Sequence, residues 1–130
     1  MVHLDTSVLI DALTGPRRSS SKLRDLLGGP DRVGISSIVL FEWLRGPRSD
    51  KEIEAQEALF PSADAVPFGF LEARIANQLY RNVRRSRGRE TDLAIAACAL
   101  SSDASLWTLN EDDFRDIPNL TLWKAERARR

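Results

Sequence analysis

The sequence predicts an α/β fold with a mainly parallel central sheet of four to five short strands. Three observations predict it. Short apolar runs such as Val2-His3-Leu4 and Ser105-Leu106-Trp107-Thr108-Leu109 alternate with segments of helical period. That alternation favours parallel strands joined by helical crossovers. The length, 130 residues, is that of one domain spanning 1–130, with no repeat, low-complexity stretch or linker.

The elements follow in order. Val2-His3-Leu4 is a strand that ends on Asp5, and Thr6 or Ser7 can cap a helix running through Val8, Leu9, Ile10 and Leu13. Gly15-Pro16 breaks it, and a second helix from about Arg17 to Leu27 carries Leu23, Leu26 and Leu27 as one stripe before Gly28-Gly29-Pro30. Residues 32–36 form a strand. Ser37 can cap the apolar helix 38–44, in which Glu42 is the only charge. Residues 49–59 make an acidic amphipathic helix, and 63–66 a further strand candidate. Leu71, Ile75, Leu79 and Val83 recur every four residues and predict the longest helix, from about Phe70 to Arg85. After Gly88, Thr91 can cap a close-packed helix with Asp92 in its first turn. The strand 105–109 leads into Asn110-Glu111-Asp112-Asp113-Phe114, and Thr121-Leu122-Trp123 is a last strand.

Composition narrows the function classes. Nineteen basic residues balance nineteen acidic ones, so bulk charge does not announce a nucleic-acid binder. Locally, Arg81, Arg84, Arg85, Arg87 and Arg89 crowd together, as do Lys124, Arg127, Arg129 and Arg130. A solvated helix face and a frayed tail are the plain reading of these clusters. The lone Cys98 excludes a disulfide framework or cysteine zinc site and suits a reducing cytoplasm. With His3 as the only histidine, histidine-rich metal sites are excluded too. Cys98 and His3 both read as core residues, and Trp43, Trp107 and Trp123 as core or interface packing in preference to base stacking. No apolar run reaches membrane-spanning length, and no export signal opens the chain.

Asp5, Glu42, Asp92 and Asp113 are the anomaly. Each sits at a strand end or in the helix after one, within an apolar or tightly packed context. Singly, Asp5 can start a helix, Asp92 can favour a helix dipole, and Asp113 can belong to a turn. Glu42, among Ile38, Phe41 and Trp43, is no capping device. Two carboxylates about 4 Å apart repel by roughly 4 kcal/mol at an effective dielectric near 20. Four that converge must take up protons unless a cation neutralises them. The donors would all be oxygen, which selects a hard ion, Mg²⁺ or Mn²⁺.

The segments Asp5-Thr6-Ser7-Val8-Leu9-Ile10, Ser36-Ser37-Ile38-Val39-Leu40-Phe41-Glu42, Asp92-Leu93-Ala94-Ile95-Ala96-Ala97-Cys98-Ala99 and Thr108-Leu109-Asn110-Glu111-Asp112-Asp113-Phe114 carry a resemblance. In order and spacing they resemble the four signature segments of PIN-domain nucleases, and most closely the VapC-type toxins of toxin–antitoxin pairs. The resemblance covers nearly the whole chain. It implies a three-layer α/β/α sandwich and a metal-dependent endoribonuclease leaving 5′-phosphate and 3′-hydroxyl ends. It also implies Asp5, Glu42 and Asp92 as main metal-binding acids, with Asp113 as a fourth acting directly or through water, and Thr6 and Asn110 as supporting residues. Asp112 stands beside Asp113, so either can be the fourth acid, and Glu90 is a solvated loop residue or a further acid. The partners implied are an RNA substrate, a cognate antitoxin and a second copy of the chain.

An acidic site repels a polyanion, so the arginines before Asp92, Arg85 and Arg87 above all, are candidates for a phosphate-contacting rim. Arg45, three residues after Glu42 on the same helical face, can pair with Glu42 or with phosphate. Three alternatives stand beside the nuclease. A receiver domain wants an acidic pair at the first strand's end and a late lysine. A haloacid-dehalogenase-type phosphatase wants an aspartate where Ser7 stands. An inactive PIN fold used only for binding would not require the four acids.

Overall fold

The structure is a computed structural model that describes residues 1–124; Arg127, Arg129 and Arg130 of the basic C-terminal cluster lie outside the described residues. Its centre is β1 (Val2–Leu4), flanked by β2 (Val33–Gly34) and β3 (Ser105–Trp107) in the order β2-β1-β3, both pairings parallel. Successive strand side chains point to opposite faces, and Val2, His3 and Leu4 are all buried, so both faces of β1 are covered.

Among the described residues six helices connect and cover the sheet: α1 (Thr6–Leu13), α2 (Ser20–Leu27), α3 (Ser37–Arg45), α4 (Asp50–Leu59), α5 (Phe70–Asn82) and α6 (Glu90–Ser101). Helix α6 is buried without interruption from Leu93 to Ala99, and α5 packs along it. Its small residues let the two backbones come close.

The described sheet has three strands, where the sequence predicts four to five. Residues 63–66 and 121–123 each supply only a single parallel bridge, Ser36 to Val66 and Leu106 to Leu122. Prolines explain the shortfall. Pro61 and Pro67 bracket the first segment and lack donors for a ladder, and Ser62–Asp64 coils into a 3₁₀ turn whose Ser62 amide donates to Glu57 Oε1 at 2.7 Å. The second follows Pro118 and Asn119, the latter left-handed at φ 67°.

Several boundaries shift for equally local reasons. Helix α2 begins at Ser20 instead of Arg17, because Arg17 is left-handed at φ 54°, and Ser19 then donates to Asp11 Oδ2 at 2.6 Å. Ser36, not Ser37, caps α3 by accepting from the Val39 amide at 3.2 Å; Ser37 accepts from Phe68. Helix α4 has the capping box its sequence carries, Ser49 with Glu52. Helix α5 stops at Asn82, short of Arg85, where Val83 is extended and Arg85 turns left-handed. Helix α6 starts at Glu90, so Thr91 lies inside it and caps nothing.

The aromatic and single-copy residues fall where packing places them. Trp43 is fully buried beneath the Arg48 guanidinium, 4.3 Å from its ring centre. Trp107 is buried, and half-buried Trp123 tilts against it at 4.7 Å. His3 is buried with its pKa lowered to about 4, by burial first and the N-terminal charge second, so it is neutral at pH 7. Burial pushes the Cys98 thiol up to about 11, which leaves it inert.

Candidate metal centre

The parallel register builds the site. Leu4 pairs with Trp107, and the Asp5 amide donates to the Trp107 carbonyl at 2.9 Å, so the residues just past both strands, Asp5 and Thr108, stand side by side. This is the carboxyl edge where parallel α/β sheets place their ligands. Asp5 is only 4% exposed. The Thr108 and Ser7 hydroxyls both donate to its Oδ2, at 2.8 and 2.7 Å. They in turn accept from the amides of Asn110 at 3.0 Å and Leu109 at 3.1 Å. One oxygen of Asp5 is thereby fixed, while Oδ1 accepts no bond from the described residues.

Asp5 occupies the N-cap position of α1 without making a capping bond. Thr6 and Ser7 do not cap the helix either; their hydroxyls serve the site. Thr6 donates to Glu42 Oε1 at 2.5 Å, bringing α3 to α1. The other oxygen of Glu42 lies 3.6 Å from Arg45, so of its two expected partners Arg45 here takes Glu42, and its exposed guanidinium also lies over Phe41.

Asp92 enters from the first turn of α6. Its carboxyl is raised to about 6, chiefly by burial, then by the negative charges of Asp5, Asp113 and Glu42, with Arg89 opposing. A helix N-terminus favours a carboxylate by about 0.3–1 kcal/mol, yet the burial and the three acids prevail. Three of the acids predicted from sequence therefore lie within electrostatic reach of the fourth, Asp92.

The remaining expectations separate. Asp112 is exposed and paired with Arg115 at 2.5 Å, and it is not among the charges acting on Asp92, whereas Asp113 is. Glu90 is exposed and lines a groove with Tyr80 and Leu93, away from the charges on Asp92. The Asn110 side chain is exposed; its backbone amide is what supports the site. Arg85 and Arg87 are exposed.

Arg89 departs from the solvated-face reading. It grips Asp116 with two hydrogen bonds, at 3.0 and 2.6 Å, and also donates to the carbonyls of Arg84 at 2.9 Å and Asp113 at 3.0 Å. It thus ties the start of α6 to the turn that carries Asp113. Arg89→Met is expected to cost about 2 kcal/mol, in line with losing bonds to a charged group. A denaturant melt with an unchanged midpoint would contradict this.

The donor set fits a hard divalent ion: carboxylate oxygens alone, one of them held open on Asp5, and the Asp92 carboxyl, whose proton affinity is raised by burial and then by three neighbouring acids. Among the described residues no group of three Asp, Glu, His or Cys side chains is placed to hold a metal ion as it stands. Mg²⁺ does not require such a group, since it keeps several waters and takes one or two carboxylates directly. Ser7 and Thr108 are the residues sequence reasoning missed. Thr108→Val keeps the shape but removes the hydroxyl, and a loss of about 10–100-fold in metal affinity is expected. Wild-type affinity by calorimetry would show that the hydroxyl does not orient Asp5.

The model of the PIN domain family matches residues 2–120. The chain belongs to the PIN domain family. Among curated proteins, this PIN domain is 34% identical over 122 residues to ribonuclease VapC19 of Mycobacterium tuberculosis, covering 92% of this chain and 97% of that one. Among solved structures it is similar to VapBC2 of Rickettsia felis bound to a promoter DNA fragment, with TM-score 0.74 and 24% identity over 95% of this chain and all of that one. It is also similar to DNA-bound VapBC of Salmonella typhimurium, with TM-score 0.75 and 21% identity over 95% of this chain and 97% of that one. The two structural likenesses concern the fold.

Proposed function

We propose that this PIN domain, acting as one unit over residues 1–130, is a metal-dependent endoribonuclease and the toxin of a toxin–antitoxin pair. The observation that carries the reading is the convergence of three acids on Asp92, whose carboxyl is held above its ordinary pKa by burial first and then by Asp5, Asp113 and Glu42. In this reading Asp5, through its open Oδ1, and Glu42 and Asp92 hold Mg²⁺ or Mn²⁺, and Asp113 contributes as a fourth acid. When bound, such an ion polarises a phosphodiester oxygen and lowers the pKa of a nearby water. The chain's own part is to hold these groups still. Ser7 and Thr108 orient Asp5, Thr6 orients Glu42, and Arg89 fixes the backbone at Asp113. In the same reading the helices form a layer on each face of the sheet.

RNA needs positive charge beside this acidic centre. Arg85 and Arg87, exposed just before α6, supply it, and replacing both with alanine is expected to weaken RNA binding and flatten its salt dependence. An unchanged slope would remove them from the interface. Phe41 and Leu44 on α3 and Phe70 and Leu71 on α5 are exposed apolar side chains. They offer surface to a second copy of the chain and to an antitoxin. The relative's printed name, a ribonuclease, supports the activity. Similarity to a toxin–antitoxin complex from Klebsiella pneumoniae, with TM-score 0.71 and 25% identity over 93% of this chain and 96% of that one, supports the protein partner. Among the described residues no helix is long and apolar enough to cross a membrane. The single reduced thiol accords with a cytoplasmic protein.

The test is incubation of the protein with a panel of structured RNAs, with and without Mg²⁺ or Mn²⁺. Metal-dependent cleavage giving 5′-phosphate and 3′-hydroxyl ends is expected. RNA binding without cleavage under every metal condition would favour a PIN fold kept for binding.

A further inference from the structure

Beside the acids lies a pocket of about 590 Å³ whose wall runs from Thr108, the residue that holds Asp5, past Asp113 to Trp107, Trp123 and Lys22. Two other cations border it, Arg115 and Lys124, but both are already engaged. Arg115 pairs with Asp112, and Lys124 with Glu111. Lys22, exposed on α2, has no acidic partner among the described residues. Among the described residues that line this carboxylate-rich pocket, the Lys22 ammonium is the cation left to meet a polyanion. Trp123 is half-buried, lines the pocket and is backed by buried Trp107 at 4.7 Å, which gives the pocket an aromatic wall. A free cation beside an aromatic platform is how proteins hold single-stranded RNA, by its phosphate and by stacking on an unpaired base.

We propose that this pocket is the subsite for the nucleotide neighbouring the scissile phosphate, its unpaired base against Trp123 and its phosphate against Lys22. The inference rests on the nuclease reading and deepens it. Stacking on Trp123 takes the exposed face of an unpaired base, so the strand held here is single-stranded, a loop or tail.

The test is fluorescence anisotropy of a short labelled single-stranded RNA, titrated in Mg²⁺ at several salt concentrations. All proteins carry Asp5→Asn so that the RNA is bound without being cut. Trp123→Ala is expected to weaken binding about 5- to 150-fold, the range for losing one base stack, and Trp123→Phe to retain most of it. Lys22→Ala should lower the salt slope by roughly 0.7, the value for one phosphate contact on a single strand. Trp123 also packs on Trp107, so if the alanine variant does not fold, Trp123→Phe and the exposed Lys22 position decide. Unchanged affinity and slope in the folded variants overturns the subsite and leaves the pocket to a protein partner. If the Asp5→Asn protein binds no RNA and the wild type cuts none, the nuclease reading itself fails. If the wild type cuts RNA and the pocket variants bind it unimpaired, only the subsite fails.

Discussion

Asp5→Asn is expected to abolish metal-dependent RNA cleavage, by more than about 100-fold, while leaving the fold intact. The lower bound comes from residues that merely support a metal ligand, whose removal already costs about 10–100-fold in metal affinity or activity. Asp5 would be a ligand itself. The substitution is nearly isosteric, and the hydrogen bonds predict its orientation. Ser7 and Thr108 both donate to Oδ2, at 2.7 and 2.8 Å. In asparagine the acceptor oxygen would take that place, turning the amide nitrogen, a donor, toward the position of Oδ1. The site would lose a charge and present a hydrogen where a cation needs a lone pair. Circular dichroism and melting should match wild type while the cleavage assay reads background. Retained cleavage would mean that the metal is held elsewhere.

Asp92→Asn is expected to do two opposite things: abolish cleavage and stabilise the metal-free protein above pH 6. The folded-state pKa of Asp92, about 6, lies above the ordinary 3.8, because burial and then Asp5, Asp113 and Glu42 disfavour its charge. The folded protein therefore binds this proton more tightly than the unfolded chain. Stability falls as pH rises from about 4 through 6, and the deficit persists above that range. The full shift would correspond to about 3 kcal/mol, but Asp92 is only half buried, and solvent screening reduces the expected gain to about 1 kcal/mol. For a domain of this size that is roughly 3–5 °C in melting temperature. A chelated sample at pH 7.5 should show the gain, and at pH 4 wild type and variant should converge. A variant less stable than wild type at pH 7.5 would mean that the Asp92 carboxylate is satisfied by the protein alone.

The acids were legible as a combination, since Asp5, Asp92 and Asp113 each have an ordinary reading alone and Glu42 does not. Glu42 lies inside an apolar helix, and Asp5 ends a buried strand, where an unpaired carboxylate is costly. What supports them was not legible. Thr108 reaches Asp5 across 103 positions in sequence, and only the pairing of Leu4 with Trp107 makes them neighbours. Period-2 patterning finds strands but not their register. Ser7 was visible as a possible cap, the role that a Ser after a strand has by default, and the site overrides that propensity. Arg89 was hidden among neighbouring arginines, since composition does not distinguish a clamp from a solvated charge. The strand count was over-read at 63–66 and 121–123, because apolar alternation outweighed the prolines beside each segment.

The most direct test of the single acidic metal centre is a calorimetric titration of Mn²⁺ into metal-free wild type and Asp5→Asn at pH 7.5. Saturable binding to the wild type, lost in the variant, is the predicted result. Equal binding to both proteins would contradict it and would place the metal outside the cluster of Asp5, Glu42, Asp92 and Asp113.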